Sequence, residues 1–431
     1  MSRRRPLPVV LALLLAASAA ARAAAAEGEG GEVFSLRGVL LFEGTYGRFV
    51  DDERFNPGGS LLSAEEVRGD VQLDAVPRWT LGDGWYVQGQ LSGRLSGGEG
   101  SDGDGTVREL YAHGDVGPLT LTAGRRIVKW SNGYAFSPAG LLDPVRDPTD
   151  PQDRLNRLSG RDVVQLDLYP GGHSASLVYA DEGDGRDLVA LRWGVTRGSL
   201  DLALLGGWRP RGRDRLAVSG SMVFGEALEI HAEVAASRGS DVVVPRSIEE
   251  GRAGTLFGRD YLAPVRQDER SVLYEALLGA NYTFGNGFNV VAELYHDDAA
   301  LDDAEWGRFL AHVGFSRSLI GDDRFPPVFE GRTLPELEVM QAVASLDRPQ
   351  VRQNYLFLRL APPAGRRIEG NLVTLIDLDG GSLVAVPELD LGLGDRTSAW
   401  VRVRLFAGPR DSHFGALPLS PSLTVGTRWH W

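Results

Sequence analysis

Apolar residues recur at every second position through most of this chain. Within residues 85–95 the odd positions are Trp, Val, Gly, Leu, Gly and Leu, whereas the even positions include Gln88, Gln90, Ser92 and Arg94. Successive side chains of a strand point to opposite faces, so this pattern places one face in an apolar medium and the other in water. The chain is therefore predicted to be built from half-exposed β-strands.

About eighteen segments carry this alternation. They end near Glu43, Thr80, Leu95, Asp115, Val128, Tyr169, Ala180, Val195, Trp208, Phe224, Ala236, Phe284, His296, Ala361, Asp377, Leu389, Ala407 and Trp431. An even number is typical of bacterial single-chain membrane barrels. The pattern is least regular in residues 366–390, where the phase slips and Pro387 interrupts. We therefore predict 18 strands, with 16–18 as the range.

The connections between these segments alternate in length. Short ones lie at residues 82–84, 116–118, 170–172, 197–198, 225–226, 285–287, 363–365 and 394–396, and long ones at 44–66, 129–161, 237–270, 297–350 and 408–420. A soluble β-sandwich also alternates, but it has no reason to keep short and long connections in strict phase. The pattern predicts an all-β fold, a transmembrane antiparallel up-and-down β-barrel with short periplasmic turns and long extracellular loops. In lipid an open sheet edge would leave amides unpaired, so the first and last strands are expected to pair.

The chain begins with the features of an export signal. Arg3, Arg4 and Arg5 precede a short apolar core at residues 7–21, and small residues at 24–26 form a cleavage site. The alternative is a membrane anchor, but the apolar core is too short to span about 30 Å of hydrocarbon as a helix. We predict a signal peptide at residues 1–26 and a barrel domain at 27–431. Only residues 27–32 precede the first strand, so no plug domain of a gated receptor is expected.

Composition excludes several classes of protein. The chain has 431 residues, no Cys and a formal net charge of −13. Without Cys there is no disulfide framework and no thiolate metal site. The acidic balance argues against nucleic acid as a partner, because a basic face is needed to displace phosphate counterions. No further run of eighteen apolar residues predicts a transmembrane helix.

The last strand places Trp429 and Trp431 on its apolar face. A terminal strand that ends in an aromatic residue resembles the signal by which outer-membrane barrels are recognised for assembly. We therefore predict that both residues form an assembly signal and that the protein resides in the cell outer membrane. The expected partners are outer-membrane lipid, lipopolysaccharide and the barrel-assembly machinery. The sequence leaves open whether the protein forms a homo-oligomer.

The strand phases predict which charged residues line the interior. The predicted basic pore-lining residues are Arg37, Arg94, Arg126, Arg192, Arg359, Arg402, Arg404 and Arg428, and the acidic ones are Glu229, Glu233, Glu275 and Glu293. The arginines lie mostly on strands near the two chain ends, which closure makes neighbours, whereas the glutamates come from middle strands. Such opposed walls would create a transverse field, and arginine rings favour anions. The alternative is that these charges pair with one another or only keep the interior wet.

Residues 129–161 form the most informative long connection. Four X-Pro steps divide it into turns, so it cannot be one helix. Its candidate constriction residues are Asp143, Arg146, Asp147, Asp150 and Asp153. The corresponding loop of general porins folds into the lumen. By that analogy this loop would face the arginine wall, and the alternative is an external cap.

The run Gly-Arg-Arg-Ile-Val-Lys-Trp at residues 124–130 leads into this loop, and Leu110-Tyr111 precedes it. Together they resemble a short motif at the same strand-to-loop junction of alginate-export-like and related uncharacterised outer-membrane porins. The resemblance covers residues 108–168, and Arg125-Arg126 stands where those proteins usually have Arg-Gln. It implies a porin-like barrel of a Gram-negative bacterium.

The seven histidines are scattered along the chain, and no serine lies in a recognisable nucleophile motif. A hydrolytic site would need a nucleophile, a histidine and a carboxylate at one rim. We therefore expect no enzyme, no cofactor and no metal site. The predicted function is passive diffusion of small polar or anionic solutes. The alternative is a structural or interaction barrel, such as an adhesin, a scaffold or a sheath around a partner, using residues 237–270 and 297–350.

The topology can be tested by single cysteines, which the Cys-free chain makes unambiguous. Substitutions Gly103→Cys, Asp184→Cys, Gly254→Cys and Asp303→Cys should react with membrane-impermeant maleimide on intact cells. Asp83→Cys, Gly171→Cys and Asn286→Cys should react only after the outer membrane is opened, because short turns are periplasmic. Labelling of both sets alike would contradict the predicted orientation.

Overall fold

The computed structural model describes residues 33–52, 54–59, 61–62, 67–82, 84–98, 102–150, 153, 157–181, 187–210, 213–239, 243–245, 256, 262–264, 272–346, 350–363, 365 and 367–431. The predicted signal peptide at 1–26 lies outside the described residues. So do Asp83, Asp184, Gly254 and parts of the predicted long connections 44–66, 129–161, 237–270 and 297–350.

One antiparallel sheet of eighteen strands forms the wall of the molecule. Its strands are β1 (Phe34–Tyr46), β2 (Val67–Gly82), β3 (Trp85–Gly97), β4 (Asp102–Val116), β5 (Leu119–Arg126), β6 (Arg161–Leu168), β7 (His173–Asp181), β8 (Asp187–Arg197), β9 (Leu200–Trp208), β10 (Arg215–Phe224), β11 (Leu228–Arg238), β14 (Val272–Thr283), β15 (Asn289–Asp297), β16 (Asn354–Ala361), β17 (Ile368–Asp377), β18 (Ser382–Gly392), β19 (Thr397–Ala407) and β20 (Ser422–His430). Strands β12 (Val243–Pro245) and β13 (Leu262–Pro264) form a separate two-stranded sheet within the β11–β14 connection.

The sheet closes on itself between its first and last strands. Strand β1 pairs with β20 in antiparallel register, and Gly38 and Trp431 exchange two backbone hydrogen bonds of 3.0 and 3.1 Å. Every other strand pairs with its sequence neighbour in the sheet. The predicted closed antiparallel barrel of 18 strands is confirmed. Pro387 lies within β18, opposite Leu372 of β17, and the β18–β19 register is interrupted beside it.

The two faces of each strand differ as the alternation predicts. In β6, Val164 and Leu166 are exposed on the outer face, whereas Gln165 and Asp167 are buried on the inner face. Trp193 of β8 is likewise an exposed outer residue. The barrel therefore has an apolar outside and an inside that carries its polar groups.

Tight turns connect the strands at one rim. The β8–β9 and β10–β11 turns begin at Gly198 and Gly225, both with φ of 62°, a left-handed conformation that glycine adopts without strain. At the other rim the longest connections are residues 127–160, 239–271 and 298–353. The barrel thus has a turn rim and a loop rim.

The connection between β15 and β16 contains two helices that the sequence analysis did not predict. They are α1 (Asp303–Ser318) and α2 (Leu334–Leu346), and a short α3 (His413–Ala416) lies between β19 and β20. Helix α1 begins with a capping box, in which Asp302 and Glu305 each accept a backbone hydrogen bond from the other. A 3-10 turn occupies Pro57–Gly59. Among the helices of the described residues, none is both long and apolar enough to cross a membrane.

Three long connections pack together into one cap at the loop rim. Trp306 and Phe309 of α1 and Val339 of α2 are buried with Phe55 of the β1–β2 connection and Ala416 of α3. The Trp306 ring lies 5.2 Å from the Phe309 ring, and Phe309 lies 6.3 Å from Phe55. This apolar core orders connections that belong to distant strands of the barrel.

Gly124 of β5 provides a test of how closely strands β4 and β5 pack in the barrel wall. Its φ is 124°, and a Cβ at this position would lie 2.4 Å from the carbonyl oxygen of Leu110 and 2.8 Å from the Cα of Tyr111. Both atoms belong to the backbone of β4 and cannot turn aside, so Gly124→Ala should lower the free energy of unfolding by about 1–3 kcal/mol. The measurement is the temperature at which the compact band disappears in unboiled detergent gels.

Gly206→Ala is the matched control for this substitution. Gly206 lies in β9, and no atom lies within 4 Å of its Cβ position. The control should unfold at the parent temperature, and equal unfolding temperatures for the two variants would contradict the assigned β4–β5 packing.

Candidate pore and inner loop

The described residues of the connection between β5 and β6 (127–150, 153 and 157–160), here called the inner loop, lie inside the barrel. Trp130, Leu141 and Leu142 are buried in one apolar cluster with Val178 of β7 and Leu205 of β9. The same loop also contacts β14 to β18 through a second cluster. One segment can contact strands so far apart around a closed wall only from the inside. The loop therefore occupies part of the lumen.

Aromatic rings hold the turn of the inner loop against the far wall. The Phe136 ring stacks on Tyr295 of β15, with centroids 4.2 Å apart and an interplanar angle of 7°. Phe136 also lies 6.5 Å from the Tyr355 ring of β16. Offset stacking of this kind adds a specific geometry to the apolar burial. The signal for this contact was present in the sequence, because Tyr295 shares a strand face with Glu293, which was predicted to point inward. Tyr355 likewise shares a strand face with Arg359, another residue predicted to point inward.

Two buried glutamates bind the backbone of the inner loop. Glu233 of β11, 1% exposed, accepts hydrogen bonds from the backbone N–H groups of Asn132 (2.5 Å) and Ala139 (2.9 Å). It also accepts one from Ser131 Oγ at 2.9 Å. Because three donors of the loop converge on this one carboxyl group, Glu233 is a central anchor of the loop.

Glu293 of β15 is the second anchor and is fully buried. It accepts hydrogen bonds from the backbone N–H groups of Tyr134 (2.5 Å) and Ala135 (2.8 Å). Its other contact is His231 of β11, whose Nε2 lies 2.8 Å from the carboxylate. Two of the four predicted pore-lining glutamates, Glu233 and Glu293, thus point inward, but the inner loop covers them.

Two other charged residues of the inner loop, Asp143 and Arg146, form hydrogen bonds within the loop and stabilise its conformation. Asp143 accepts a 2.7 Å hydrogen bond from the Trp130 N–H. Arg146 donates to the carbonyl oxygens of Gly133 and Tyr134 at 3.0 and 3.1 Å. These two predicted constriction residues therefore brace the loop internally.

The following residues of the loop reach strand β19. Arg402 lies 3.1 Å from Asp150 and 2.7 Å from Glu388 of β18. Arg404 donates to Thr149 Oγ1 at 2.8 Å, and its guanidinium lies 3.6 Å from Asp147. The structure thus brings Asp147 and Asp150 to two arginines of the predicted basic wall.

Asp153 lies near the return of the chain to β6. Its carboxylate is 3.5 Å from Arg108 of β4 and accepts hydrogen bonds from the backbone N–H groups of Arg157 and Leu158. The loop's contact with β19 through Asp150 and its contact with β4 through Asp153 lie on strands that β20, β1, β2 and β3 separate. None of the loop contacts described above involves β20, β1, β2 or β3. The inner faces of these four strands therefore face the loop across the open part of the lumen.

Four predicted pore arginines form no ion pair with a described residue. Their contacts are neutral: Arg126 donates to Thr122 Oγ1 at 2.9 Å, Arg192 to Ser174 Oγ at 3.1 Å, and Arg359 to Asn289 Oδ1 at 3.2 Å. Arg37 is exposed on the inner face of β1. Within the described part of the barrel, these four side chains are therefore basic groups without an ion-paired acid.

The remaining predicted pore residues have different surroundings. Arg94 forms a 2.9 Å ion pair with Asp70 of β2, and the Arg428 guanidinium lies 5.4 Å from the Trp400 ring. Glu275 pairs with Arg215 at 2.9 Å, and Glu229 lies on the same inner face of β11 as Glu233. The arginine side of the barrel therefore also carries acids, such as Asp70. The prediction of a basic wall opposite an acidic wall did not include them.

The predicted assembly residues lie on the outer face at the seam between β20 and β1. Trp429 is exposed there. The Trp431 ring covers Gly38, where a Cβ would lie only 2.1 Å from the indole. A glycine on β1 is thus what makes room for the terminal aromatic ring.

The sequence matches no protein-family model and no curated protein. Solved structures with a similar fold include OccAB1 of Acinetobacter baumannii, with a TM-score of 0.53 and 8% identity over 92% of this chain and 96% of that one. OccK5 (OpdH) of Pseudomonas aeruginosa has a TM-score of 0.50 and 10% identity over 92% and 98% of the two chains. OccK11 (OpdR) of the same species has a TM-score of 0.50 and 11% identity over 92% and 95%. The chain has the fold of porin-type β-barrels, and identities this low show the fold alone.

The anchoring role of Glu233 is testable. Glu233→Ala removes the acceptor of two backbone N–H groups and the Ser131 hydroxyl, and each unsatisfied buried donor costs about 1–3 kcal/mol. The inner loop should detach while the barrel stays closed. Trypsin should then cut at Arg146, whose side chain is only 12% exposed in the parent.

Glu229→Ala, on the same face of the same strand, is the control and should stay resistant. Equal protection of both variants, with the compact gel band retained in each, would show that Glu233 does not hold the loop.

Proposed function

We propose that this protein is a water-filled channel of the bacterial outer membrane through which small polar solutes, preferentially anions, diffuse passively. Barrels of about 16–18 strands leave an aqueous passage, whereas those of about 8 strands are filled by side chains. The inner loop narrows this passage, but its contacts with the wall described above do not include β20, β1, β2 or β3. The apolar outer face supports a location in a lipid bilayer.

The balance of charges around the inner loop supports the anion preference. Glu233 and Glu293 are engaged by loop backbone, and Asp147 and Asp150 by arginines of β19. Meanwhile Arg37, Arg126, Arg192 and Arg359 have no ion pair with a described residue. Positive side chains that line water favour the permeation of anions. This asymmetry is the observation on which the proposal depends.

The location in the outer membrane is part of the same proposal. Trp429 and Trp431 at the closing seam suit a signal read by the barrel-assembly machinery, and the outer face suits lipid and lipopolysaccharide. The resemblance of residues 124–130 to alginate-export-like porins supports a porin-like barrel.

The cap favours a second candidate, an interaction barrel. Between α1 and α2 the chain presents Val328 and Phe329 to solvent, with 61% and 59% of their surfaces exposed. Glu330 beside them adopts a φ of 48°, which is unusual for a residue other than glycine. An exposed apolar tip of this kind suits contact with another protein. A purified barrel that does not conduct would favour this candidate.

Ion selectivity tests the channel. In planar bilayers under a salt gradient, the triple substitution Arg126→Ala, Arg192→Ala, Arg359→Ala should move the reversal potential towards cation preference. The change should shrink at about 1 M salt, where the Debye length is about 3 Å.

The matched control is the triple substitution of the same positions by Lys, which keeps the charges and should keep the anion preference. If the Ala and Lys variants have the same reversal potential as the parent, these arginines do not set selectivity.

A further inference from the structure

A cavity of about 550 Å³ opens at the loop rim, on the side of the lumen facing the inner loop. It is bounded by the ends of β19, β20, β1, β2 and β3 and by the first residue of β4. Its charged lining residues are Arg48, Arg68, Arg404 and Asp102. Three guanidinium groups against one carboxylate make this cavity, here called the mouth pocket, a basic site at the entrance of the passage.

The hydrogen-bonding groups of the mouth pocket suit an oxyanion. Arg68 is half-exposed, lies 3.5 Å from Asp70 and donates one hydrogen bond to Ser96 Oγ at 3.2 Å. A guanidinium has five N–H donors, so most of those on Arg68 stay available. The Asp102 carboxylate accepts the Gly103 N–H at 2.8 Å, which directs it to its own backbone. Arginine forks match the geometry of phosphate and carboxylate oxygens.

Arg404 links the mouth pocket to the inner loop. It lines the pocket and also holds Thr149 and Asp147 of the loop. The side chains of Arg404 and Asp147 are 37% and 48% exposed, so water and solutes reach this pair. Exposed ion pairs are weak and screened by ions, whereas the neighbouring Arg402 pair is only 15% and 18% exposed and is reinforced by Glu388. The Arg404 contact is thus the more easily exchanged of the two.

We propose that the mouth pocket binds small oxyanions and that a bound anion replaces Asp147 at Arg404, which loosens residues 147–150 of the inner loop. This deepens the proposed channel function, because it assigns an entrance site and couples that site to the width of the passage. Phosphate is the probe, because arginine guanidinium groups match the geometry of its oxygens.

Loop mobility reports this exchange directly. Val145 is 83% exposed and lies two residues before Asp147, and the chain has no Cys, so Val145→Cys accepts a single nitroxide label. Sodium phosphate added to the purified barrel should narrow the electron paramagnetic resonance lines saturably. Sodium chloride at equal ionic strength should narrow them much less, because it only screens the ion pair.

Variants in the labelled protein locate the effect. Arg68→Gln should weaken the apparent phosphate affinity at least fivefold, whereas Arg68→Lys should retain most of it. Arg404→Gln should show a mobile loop from the start and no response to phosphate. Arg197→Gln, at the turn rim, is the control and should respond as the parent does. The compact gel band checks that each variant is folded.

A chloride response equal to the phosphate response would overturn the proposal, as would an unchanged phosphate affinity in Arg68→Gln. Conductance in bilayers is measured separately. A conducting barrel without a phosphate effect contradicts only the mouth pocket. A phosphate-responsive barrel that does not conduct contradicts only the channel.

Discussion

The structure depends on the need to pair every backbone amide of a sheet whose outer face is apolar. In hydrocarbon no water replaces a missing partner, so the edge strands β1 and β20 pair with each other. Closure creates an inside, and only an inside allows one loop to contact strands from β6 to β19. The candidate site is therefore a consequence of closure rather than an addition to it.

Within that enclosed space the inner loop brings its own backbone N–H groups, which also need acceptors. Glu233 and Glu293 provide them from the wall. Because these carboxylates are buried and paired with backbone, their charge is compensated locally and contributes less to the water-filled part. The anion preference proposed above rests on four side chains that form no ion pair with a described residue, namely Arg37, Arg126, Arg192 and Arg359. The proposed selectivity therefore depends on the acids that the loop covers as well as on the charges that it carries.

Strand number, phase and closure could be predicted because they follow from a period of two residues, which any short window contains. The helices α1 and α2 were missed, although Asp302 and Glu305 form a capping box and Trp306, Phe309 and Val313 recur at helical spacing. From the sequence, residues 297–350 were interpreted only as a long connection. The aromatic core beneath them forms only with Phe55, which is distant in the chain.

The sequence by itself determined which side chains face inward, since side-chain direction in a strand is a local property. Arg402 and Glu233 are inward for that reason alone. Only the tertiary structure decided that Glu233 lies beneath the inner loop, that Asp150 reaches Arg402, and that Arg404 lines the mouth pocket. The two loop contacts join residues about a hundred or more positions apart, and the pocket depends on which strand ends lie together at the loop rim. Their partners are chosen by the curvature and closure of the whole wall, which no local pattern contains.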